Sequence, residues 1–552
     1  MTNAAPTMPA DTATPRIAAA TWVKLAIVAV AALQFAQVFT RSINWDEFGH
    51  YNHIVQLHAG TLPQVLQRFH AFAYSWVTAL PGSPIDHIIV IRLFMFACEM
   101  VALAAIVGIA ARFAERTPAL LCGLAYISFS YVFQHGASFR YDPPLTAALM
   151  GLLWLFLSAR LDAKVIVGAG LLVALLPLIS IKAVLYAPAF AGVAYLRWAD
   201  DGFTSQTPLR LAVIGAVALA AFAALFALLS QWIAGPAGAE DTATTSRAAG
   251  AVFTFFDNPN WSRILRAATT NPLVTLVVAA FPFVIAKAER RPAEKLALGG
   301  LFTVALTPII YVNTAPYYFV FMLAPVLAAC GPVMSAALTR LSAPLIAAIL
   351  CASTVVTLIT EEPSPLDQQR ALHEVTIATF GDEVRYFDFP GFLGTRGKAN
   401  PFMSPLTVMI HDNAGLTMIE PAMQAEPVPL VIENNFILTS VLTDREDVWL
   451  APEDRAALQG NYVRFWGPLW IAGRHVPAGS TVIYKNLVPG AFTVTGAGMS
   501  IDGELVRAGD TVQLGRGTYV LEGWQADSRI IWGDNIAPPS ASPPEGPIWV
   551  QF

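Results

Sequence analysis

The chain has 552 residues, of which 55% are hydrophobic and 13% charged, and its mean hydropathy is +0.55. This composition excludes an ordinary soluble globular protein and places the chain among membrane proteins. The formal net charge of −5 gives no indication of a nucleic-acid partner. The cysteines lie in apolar segments without CxxC or zinc spacing, so we interpret them as small core residues and not as disulfide partners: Cys98, Cys122, Cys330 and Cys351.

The N-terminus begins with a polar stretch rich in alanine and threonine, which contains Arg16 and Lys24 and leads into apolar residues up to about Phe39. No small-residue cleavage site with a polar start follows this apolar stretch. We therefore predict an uncleaved first membrane helix. A cleaved signal peptide is the alternative.

A membrane-spanning helix needs about 20 mostly apolar residues. Eleven segments come close to this length, and we predict a polytopic α-helical membrane protein with about eleven spans: 22–39, 88–111, 118–135, 143–159, 165–180, 183–197, 211–232, 272–287, 296–313, 317–338 and 342–360. The fifth and sixth segments are short and meet at Ser180-Ile-Lys182, so one long broken helix is an alternative for this pair.

Basic residues gather in alternate loops, which by the positive-inside rule face the cytoplasm. These loops hold Arg112/Arg116, Arg160/Lys164, Arg197/Arg210, Lys287/Arg290/Arg291/Lys295 and Arg340. The opposite, outer face then receives residues 40–87, which we expect to form interfacial helices, and 233–271, which we expect to form a flexible loop. It also receives everything after residue 361.

Residues 1–360 thus form a predicted transmembrane domain, and residues 361–552 a separate soluble domain of α/β or β-sandwich type. Helical spacing runs from about Leu366 to Phe380, whereas later segments alternate like strands: Thr481–Tyr484, Phe492–Thr495 and Thr511–Leu514. Glycine-rich turns separate these segments. They indicate a β-rich part at about 479–552.

An acidic pair, Asp46 and Glu47, follows the first span directly. In a helix over residues 46–58, Asp46, His50 and His53 would share one face. Asn44 is a candidate N-cap of that helix, and acids are favoured in its first turn. One interpretation is an interfacial helix with polar side chains among lipid headgroups. The other gives His50 and His53 to an acceptor or, with Asp46, to a metal ion.

Further ionisable residues lie near the outer face or inside apolar segments. Asp142, before two prolines, is a candidate N-cap, and Arg140 is a candidate partner for Asp142 or for an anion. Lys182 sits between two apolar stretches, where a lysine is costly and therefore a functional candidate, with snorkelling to the interface as the alternative. Arg92 and Glu99 are seven residues apart on one helix face, which predicts a buried structural pair.

Tyr317 and Tyr318 open the tenth span from the outer face. They fit an aromatic belt at the interface, and their hydroxyls are alternative ligands for a phosphate. The long loop 233–271 supplies Arg247, Arg263 and Arg266 as candidate anion contacts. Its aromatic residues predict a segment that lies on the membrane or closes over a bound lipid.

Five local matches occur in the order of one known superfamily: Asp46-Glu47 after helix one, Arg92-Leu93 in helix two, Arg140-Tyr-Asp142 before helix four, Lys182 in a broken helix, and Pro316-Tyr-Tyr-Phe-Val-Phe-Met-Leu-Ala-Pro325 late in the bundle. Through these motifs, residues 20–335 resemble the GT-C superfamily of polyprenyl-phosphate-sugar glycosyltransferases. The nearest groups look like the bacterial aminoarabinose transferases and protein O-mannosyltransferases. In those groups the lysine is usually followed by Gly-Pro or Trp, whereas Ala183-Val184 follows here.

The resemblance implies an inverting transferase of the bacterial inner membrane, with its active site and C-terminal domain in the periplasm. It would move a monosaccharide from undecaprenyl or decaprenyl phosphate to an envelope lipid, glycan or protein. Asp46 would be the general base, and Glu47 and Asp142 would orient the acceptor or the base. The departing phosphate would be neutralised by a basic and aromatic set: Lys182, Arg140 and Tyr317 or Tyr318.

No cofactor follows with certainty, and a divalent cation, Mg or Mn, is left open. Two other classes of function stay as alternatives: a secondary transporter or lipid flippase, and a non-catalytic envelope scaffold. Against a transporter stand the lack of internal repeats and the position of the polar residues at one face instead of the midplane.

Overall fold

The structure is a computed structural model, and it describes residues 15–234, 253, 255–256, 260–403, 407–408, 411, 415–444 and 450–549. Up to residue 360 the described chain is helical. Its helices are α1 (Pro15–Thr40), α2 (Trp45–Ala59), α3 (Phe69–Ala73), α4 (Pro84–Phe113), α5 (Arg116–Ile127), α6 (Ser130–His135), α7 (Asp142–Ser158), α8 (Ala163–Ile179), α9 (Ala187–Asp200), α10 (Gln206–Leu229), α11 (Trp261–Thr270), α12 (Pro272–Lys287), α13 (Pro292–Phe302), α14 (Tyr318–Ala329), α15 (Gly331–Leu338) and α16 (Ala343–Thr360). Each of the eleven predicted spans falls on one or two of these helices.

Four described helices are long and apolar enough to cross a membrane unbroken: Ala19–Thr40, Pro84–Phe113, Gln206–Trp232 and Ala343–Thr360. Two bent pairs raise the number to six, namely α11 with α12 at 104° and α14 with α15 at 60°. Pro272 and Pro332 stand in the first turn of the second helix of each pair, where proline starts a helix but cannot continue the previous one. Sequence hydropathy therefore predicts eleven spans, whereas the described residues contain four unbroken helices long and apolar enough to cross a membrane, or up to six when each bent pair counts as one span.

Large apolar side chains cover the outside of these helices. Ile359 is 78% exposed, and Leu219 and Phe283 are each 71% exposed. Contiguous apolar surface of this kind is unfavourable in water and is what a helix presents to lipid tails. The helical part of the chain therefore has both the composition and the surface of a polytopic membrane protein.

A break in the helical path positions Lys182. Helix α8 ends at Ile179, Ser180 is extended with its side chain accepting from the Lys182 N–H at 3.4 Å, and a 3₁₀ helix over Ile181–Tyr186 leads into α9. The predicted fifth and sixth spans are thus two helices separated by this break. The break turns the Lys182 side chain inward, where it is 1% exposed.

The C-terminal part combines short helices with two β-sheets. Its helices are α17 (Leu366–Phe380), α18 (Glu420–Ala425), α19 (Phe436–Leu442) and α20 (Pro452–Asn461). Its strands are β1 (Tyr386–Phe387), β2 (Leu430–Ile432), β3 (Tyr462–Trp466), β4 (Leu469–Val476), β5 (Thr481–Asn486), β6 (Gly490–Gly496), β7 (Met499–Ile501), β8 (Glu504–Val506), β9 (Thr511–Leu514), β10 (Gly517–Gly523) and β11 (Ser528–Trp532). The predicted helix at 366–380 and the three predicted strands are confirmed.

The strands form a seven-stranded sheet, ordered β1-β2-β4-β11-β6-β9 with β3 also on β4, and a four-stranded sheet, ordered β5-β10-β7-β8. The pairing is antiparallel except between β1 and β2. Side chains of both sheets share one apolar core, in which Phe492 and Ile530 meet Tyr484 and Leu521. The predicted β-rich region is therefore built from two packed sheets.

The C-terminal part packs against the first outer segment of the helical part. One apolar core combines Phe48 and Tyr51 of α2 with Leu372 of α17 and Phe392 beyond it. Gln369 bonds the backbone of Ile43 in both directions, with Nε2 donating to the carbonyl at 2.8 Å and Oε1 accepting from the N–H at 2.9 Å. The start of α2 is therefore held between α4 and the C-terminal part.

Candidate active site

A reciprocal cap fixes the first turn of α2. The Asn44 side chain accepts a hydrogen bond from the Asp46 N–H at 2.9 Å, and the Asn44 N–H donates to Glu47 Oε2 at 2.8 Å. Such a capping box satisfies donors that a helix start would otherwise leave open. The other end closes at Gly60, whose φ of +68° is left-handed and suits a residue without Cβ. The predicted helix and its predicted cap are both confirmed.

Glu47 is fully buried and saturated with hydrogen bonds. Arg92 donates to it from Nε at 2.7 Å and from Nη2 at 2.5 Å, and the Phe139 N–H donates at 2.7 Å. Burial raises the pKa of Glu47, but the charge and hydrogen bonds of Arg92 outweigh it and hold the pKa below its ordinary value. Glu47 thereby joins α2 to α4 and to the segment before α7.

The predicted pair between Arg92 and Glu99 does not form. Arg92 also donates hydrogen bonds to the carbonyls of Arg41 at 2.8 Å and Ser42 at 2.7 Å. Glu99 lies instead against Gly136, where an added Cβ would come within 2.0 Å of Glu99 Oε1. Helix periodicity places Arg92 and Glu99 on one face, but the partner that reaches Arg92 comes from another helix.

Four charged side chains form a continuous chain beside this pair. Arg140 contacts Asp46 through Nη1 and approaches Asp142 Oδ2 from Nε at 3.4 Å. Lys182 Nζ completes the chain at 2.7 Å from Asp142 Oδ1. Asp142 does not use its side chain as the predicted helix cap, because it is bound to the two cations. Asp46 is the least buried carboxylate of the site at 18% exposure of its side chain, against 1% for Asp142.

Three tyrosine rings surround the two cations. The Arg140 guanidinium lies 3.3 Å above the centre of the Tyr317 ring. Lys182 Nζ lies 4.7 Å from the Tyr141 ring, 5.4 Å from Tyr317 and 5.5 Å from Tyr318. Cations are attracted to the faces of aromatic rings at these distances. The rings therefore stabilise the buried positive charges.

The hydroxyls of two of these tyrosines have partners within the protein. Tyr317 donates to Asn313 Oδ1 at 2.9 Å, and the hydroxyls of Tyr318 and Thr307 lie 2.6 Å apart. Among the predicted phosphate contacts, the tyrosines thus present ring faces to the cations, while their hydroxyls bind the scaffold.

Three histidines gather next to the charged chain. The ligand nitrogens of His50, His53 and His70 all lie within 4.8 Å of one another, and His53 Nδ1 is 3.0 Å from His70 Nε2. The His50 ring centre lies 5.4 Å from that of Tyr141, which also faces Lys182. Burial lowers the pKa of His50 and His53 well below the usual range and that of His70 to about 3, with a contribution from neighbouring positive charge. The three rings are therefore neutral.

The predicted set of metal ligands on α2 is corrected in one residue. His50 and His53 do share a face of α2, but the residue that joins them is His70 of α3, and Asp46 is bound by Arg140 instead. The short helix α3 folds back onto α2, which spacing within a single helix cannot reveal.

Of the remaining predicted anion contacts, the two described ones, Arg263 and Arg266, do not join this site. Arg247 lies outside the described residues. Arg263 is exposed and donates to Asn260 Oδ1 at 3.1 Å. Arg266 lines a separate cavity of about 240 Å³ together with His135. The structure thus brings together residues from four distant segments: Asp46, Arg140, Asp142, Lys182, Tyr317 and Tyr318.

Sequence reasoning missed two members of the site. Tyr141 was overlooked although it lies between Arg140 and Asp142, and its ring connects Lys182 with His50. His70 was overlooked because nothing in its own segment marks it as polar and buried. The one available signal was its position within 20 residues of His50 and His53 in the same outer loop.

No protein-family model and no curated protein match the chain. Two solved structures are similar to it. One is ArnT from Cupriavidus metallidurans bound to undecaprenyl phosphate, at 17% identity and a TM-score of 0.42 over 66% of this chain and 65% of that one. The other is the same protein in the apo state, at 16% identity and a TM-score of 0.41 over 72% of each chain. The first match thus spans just under two thirds of its relative. TM-scores below 0.5 reflect partial agreement between chain traces, so the function of this chain rests on its own residues.

Proposed function

We propose that the protein is an integral-membrane inverting glycosyltransferase of GT-C type. It moves a monosaccharide from a polyprenyl phosphate to an envelope lipid, glycan or protein at the periplasmic face of the bacterial inner membrane. The observation that carries this proposal is the charged chain from Asp46 through Arg140 and Asp142 to Lys182, packed against tyrosine rings. It joins a partly exposed carboxylate to buried cations, which is the pairing that displacement of a phosphate from a sugar needs.

Asp46 is the proposed general base. It is the most exposed of the three site carboxylates, and the cap of α2 fixes its backbone. A base must be accessible to the proton that it removes and must be held in position. Asp46 removes the proton from the acceptor hydroxyl while the oxygen of that hydroxyl attacks the anomeric carbon.

The charges of the site support this sequence of events. Asp46 and Asp142 carry two formal negative charges, and Arg140 and Lys182 carry two positive charges. When Asp46 accepts the proton, its negative charge disappears and Arg140 loses a partner. At the same moment the bond between the anomeric carbon and the phosphate oxygen breaks, and the phosphate keeps the electron pair and gains negative charge. The freed cation and the new anion then attract each other in a site of low dielectric constant.

Lys182 is the proposed main contact of the leaving phosphate. An ammonium group has three donors, and one described hydrogen bond of Lys182, to Asp142, uses one of them. Asp142 holds the ammonium in place, and the rings of Tyr141, Tyr317 and Tyr318 exclude other polar groups. Positioned donors of this kind stabilise developing negative charge without reorganising during the reaction.

Glu47 serves as a positioning residue in this proposal. Its oxygens accept from Arg92 and from backbone N–H groups, so they are not available to an acceptor. It fixes the neighbouring Asp46 relative to α4. A magnesium or manganese ion at these acids would have to displace their cations, because each carboxylate already binds an arginine or a lysine. The proposed reaction therefore assigns no step to a metal ion.

A cleft beside α2, lined by both polar and apolar residues, is a candidate binding place for an acceptor from the cell envelope. It encloses about 810 Å³ between the outer helices and the C-terminal part, and its lining includes Tyr51, His58, His373 and Arg385. Tyr51 of this lining lies on α2, the helix that also carries Asp46. Membrane lipids surround the helical part, and nothing in the charge favours a nucleic acid.

The test is the substitution Asp46→Asn in the full-length protein. Purified protein is incubated with undecaprenyl phosphate carrying aminoarabinose or mannose and with an envelope extract, and release of free undecaprenyl phosphate is measured by mass spectrometry. We expect turnover to fall by about 10²–10⁴-fold, the usual contribution of a general base. Binding of undecaprenyl phosphate should stay unchanged.

The control is Glu115→Gln, which makes the same type of change at an exposed residue outside the site. It should keep full turnover. Unchanged turnover in Asp46→Asn would refute the assignment of the base. Movement of the intact lipid across vesicles without release of undecaprenyl phosphate would favour a flippase over a transferase.

A further inference from the structure

His50 is a buried side chain without a described hydrogen bond. It is 9% exposed, and neither Nδ1 nor Nε2 has a partner among the described residues. Buried polar atoms are normally paired, and an unpaired one needs an explanation such as an unseen water or ion. One of these nitrogens lies within 4.8 Å of a ligand nitrogen of His53 and of His70. The orphaned ring therefore lies beside two more potential ligands.

The spacing of the three rings suits one metal ion. Nitrogens bound to a tetrahedral zinc ion at 2.0–2.1 Å lie about 3.4 Å apart from one another. His53 Nδ1 and His70 Nε2 are 3.0 Å apart, close to this value. Small rotations of the side chains would bring all three rings to a shared ion.

We propose that His50, His53 and His70 form a binding site for a transition metal, preferably zinc. The bound ion would link α3 to α2. Three imidazoles without a carboxylate favour Zn²⁺ over Mg²⁺ or Mn²⁺, which prefer oxygen ligands. A set of three histidines leaves a fourth position for water or another small ligand. The site is separate from the carboxylates of the proposed transferase, and it does not depend on that function.

The charges around the three rings decide how tightly an ion is held. Positive charge comes from Arg68, Arg140 and Lys182, each of which acts on His50. Two of these charges are already balanced, since Arg140 is bound to Asp46 and Lys182 to Asp142. Because the three imidazole ligands bring no negative charge, we expect measurable binding of zinc that is weaker than at a site containing thiolates or carboxylates.

The proposed ion would connect the outer loop to the charged chain. His53 and His50 lie on α2 one turn apart, while His70 lies on α3, a helix of five residues with no side-chain cap. Such a short helix has little stability of its own. A metal bridge would fix α3 against α2 and, through His50, against the ring of Tyr141 next to Lys182.

The test is direct measurement of zinc. The full-length protein in detergent is stripped with a chelator, dialysed against buffer with ZnSO₄, and analysed for bound metal by mass spectrometry. We expect one equivalent of zinc per chain in the wild type. A cobalt-substituted sample should show the intense visible absorption of a tetrahedral Co²⁺ site.

His70→Ala and His50→Gln should each lower zinc affinity by at least about 100-fold, more than the 10–100-fold typical of losing an outer-shell partner. The matched control is His58→Ala, because His58 lies on the same helix but is exposed and bonded to Ser75 and Thr78. It should keep wild-type affinity. Absence of zinc from the wild type would overturn the proposal, and equal binding by the wild type and His70→Ala would identify an adventitious ion only.

Discussion

Two buried lysine–aspartate pairs, one in each part of the molecule, have nearly the same geometry. Lys182 Nζ lies 2.7 Å from Asp142 Oδ1 in the helical part, and Lys398 Nζ lies 2.6 Å from Asp388 Oδ1 in the C-terminal part. The side chains of the first pair are each 1% exposed, and those of the second are 3% and 0% exposed. Distance and burial do not separate the two pairs. Their other hydrogen bonds do.

The C-terminal pair is saturated. Lys398 also donates to the Asp388 carbonyl at 2.8 Å and to Asn400 Oδ1 at 3.2 Å. Asp388 accepts from the N–H groups of Gly391 and Phe392 at 2.9 and 2.7 Å. Every donor of the ammonium and both oxygens of the carboxylate are used, so this pair organises a loop.

In the helical part, the ammonium group of Lys182 has hydrogen-bond donors that no described acceptor uses. Lys182 makes one described side-chain hydrogen bond, and tyrosine rings face the rest of its ammonium group. Rings stabilise the positive charge but do not use up its hydrogen-bond donors as a carbonyl would. A functional buried ion pair therefore differs from a structural one in the hydrogen-bond donors that remain unused, and not in its burial or pairing.

Replacing each lysine by methionine, in two separate variants, tests the different roles of the two pairs. Lys182→Met should reduce turnover by about 10²–10³-fold, the usual effect of losing one donor to a developing anion. Lys398→Met should leave turnover per folded molecule unchanged but lower stability by about 3–5 kcal/mol, because Asp388 would remain buried without its cation. Release of undecaprenyl phosphate measures the first effect, and thermal unfolding in detergent measures the second.

Each variant controls for the other. Asp142 keeps Arg140 at 3.4 Å when Lys182 is lost, so the fold should tolerate Lys182→Met better than Lys398→Met. If Lys398→Met were the inactive variant and Lys182→Met the unstable one, the assignment of roles would be reversed.

The adjacent acids Asp46 and Glu47 offer a second contrast. Glu47 should behave like Asp388, as a buried carboxylate that stabilises the fold. Glu47→Gln should cost about 3–5 kcal/mol of stability, because Arg92 loses its buried counter-charge. The effect should depend on pH. The pKa of Glu47 is lowered in the folded protein, so the stabilisation is present above the ordinary glutamate value of 4.5 and is lost as the pH falls below it.

This pH dependence is measured as the midpoint of thermal unfolding between pH 7 and pH 3. The difference between the wild type and Glu47→Gln should be largest at pH 7 and shrink towards pH 3. Glu115→Gln, at an exposed acid, should follow the wild type throughout. A constant difference across this range would mean that Glu47 is not the titrating group.

Most of the fold could be predicted from the sequence because hydropathy and the alternation of polar and apolar residues are local properties. The helix at Leu366–Phe380 and the strand at Thr511–Leu514 begin and end where their patterns predict. The number of membrane spans was harder to predict. A break such as that between α14 and α15 depends on how Gly331-Pro332 packs, and average hydropathy does not register it.

The site was predictable to the extent that motifs mark it. Asp46, Arg140, Asp142 and Lys182 were all singled out from sequence, and they meet in one chain of contacts. The pairing of Arg140 with Asp142 was predictable because the two residues are neighbours in sequence, whereas the partner of Arg92 was not. Arg92 binds Glu47 across 45 residues and not the Glu99 of its own helix, because tertiary packing and not helix periodicity selects the counter-charge of a buried ion.

The smallest expected effect concerns the ring that lies over Arg140. Tyr317→Phe removes the hydroxyl bonded to Asn313 but keeps the ring, 3.3 Å from the guanidinium, so turnover should change by less than about 3-fold. Tyr317→Ala also removes the ring, and losing a desolvated cation–π contact of about 2 kcal/mol corresponds to about a 30-fold loss. The ratio of turnover between the two variants measures the contribution of the ring alone. Equal turnover in both would mean that Asp46 and Asp142 suffice to hold Arg140, and that spare donors on Lys182 do not require an aromatic enclosure.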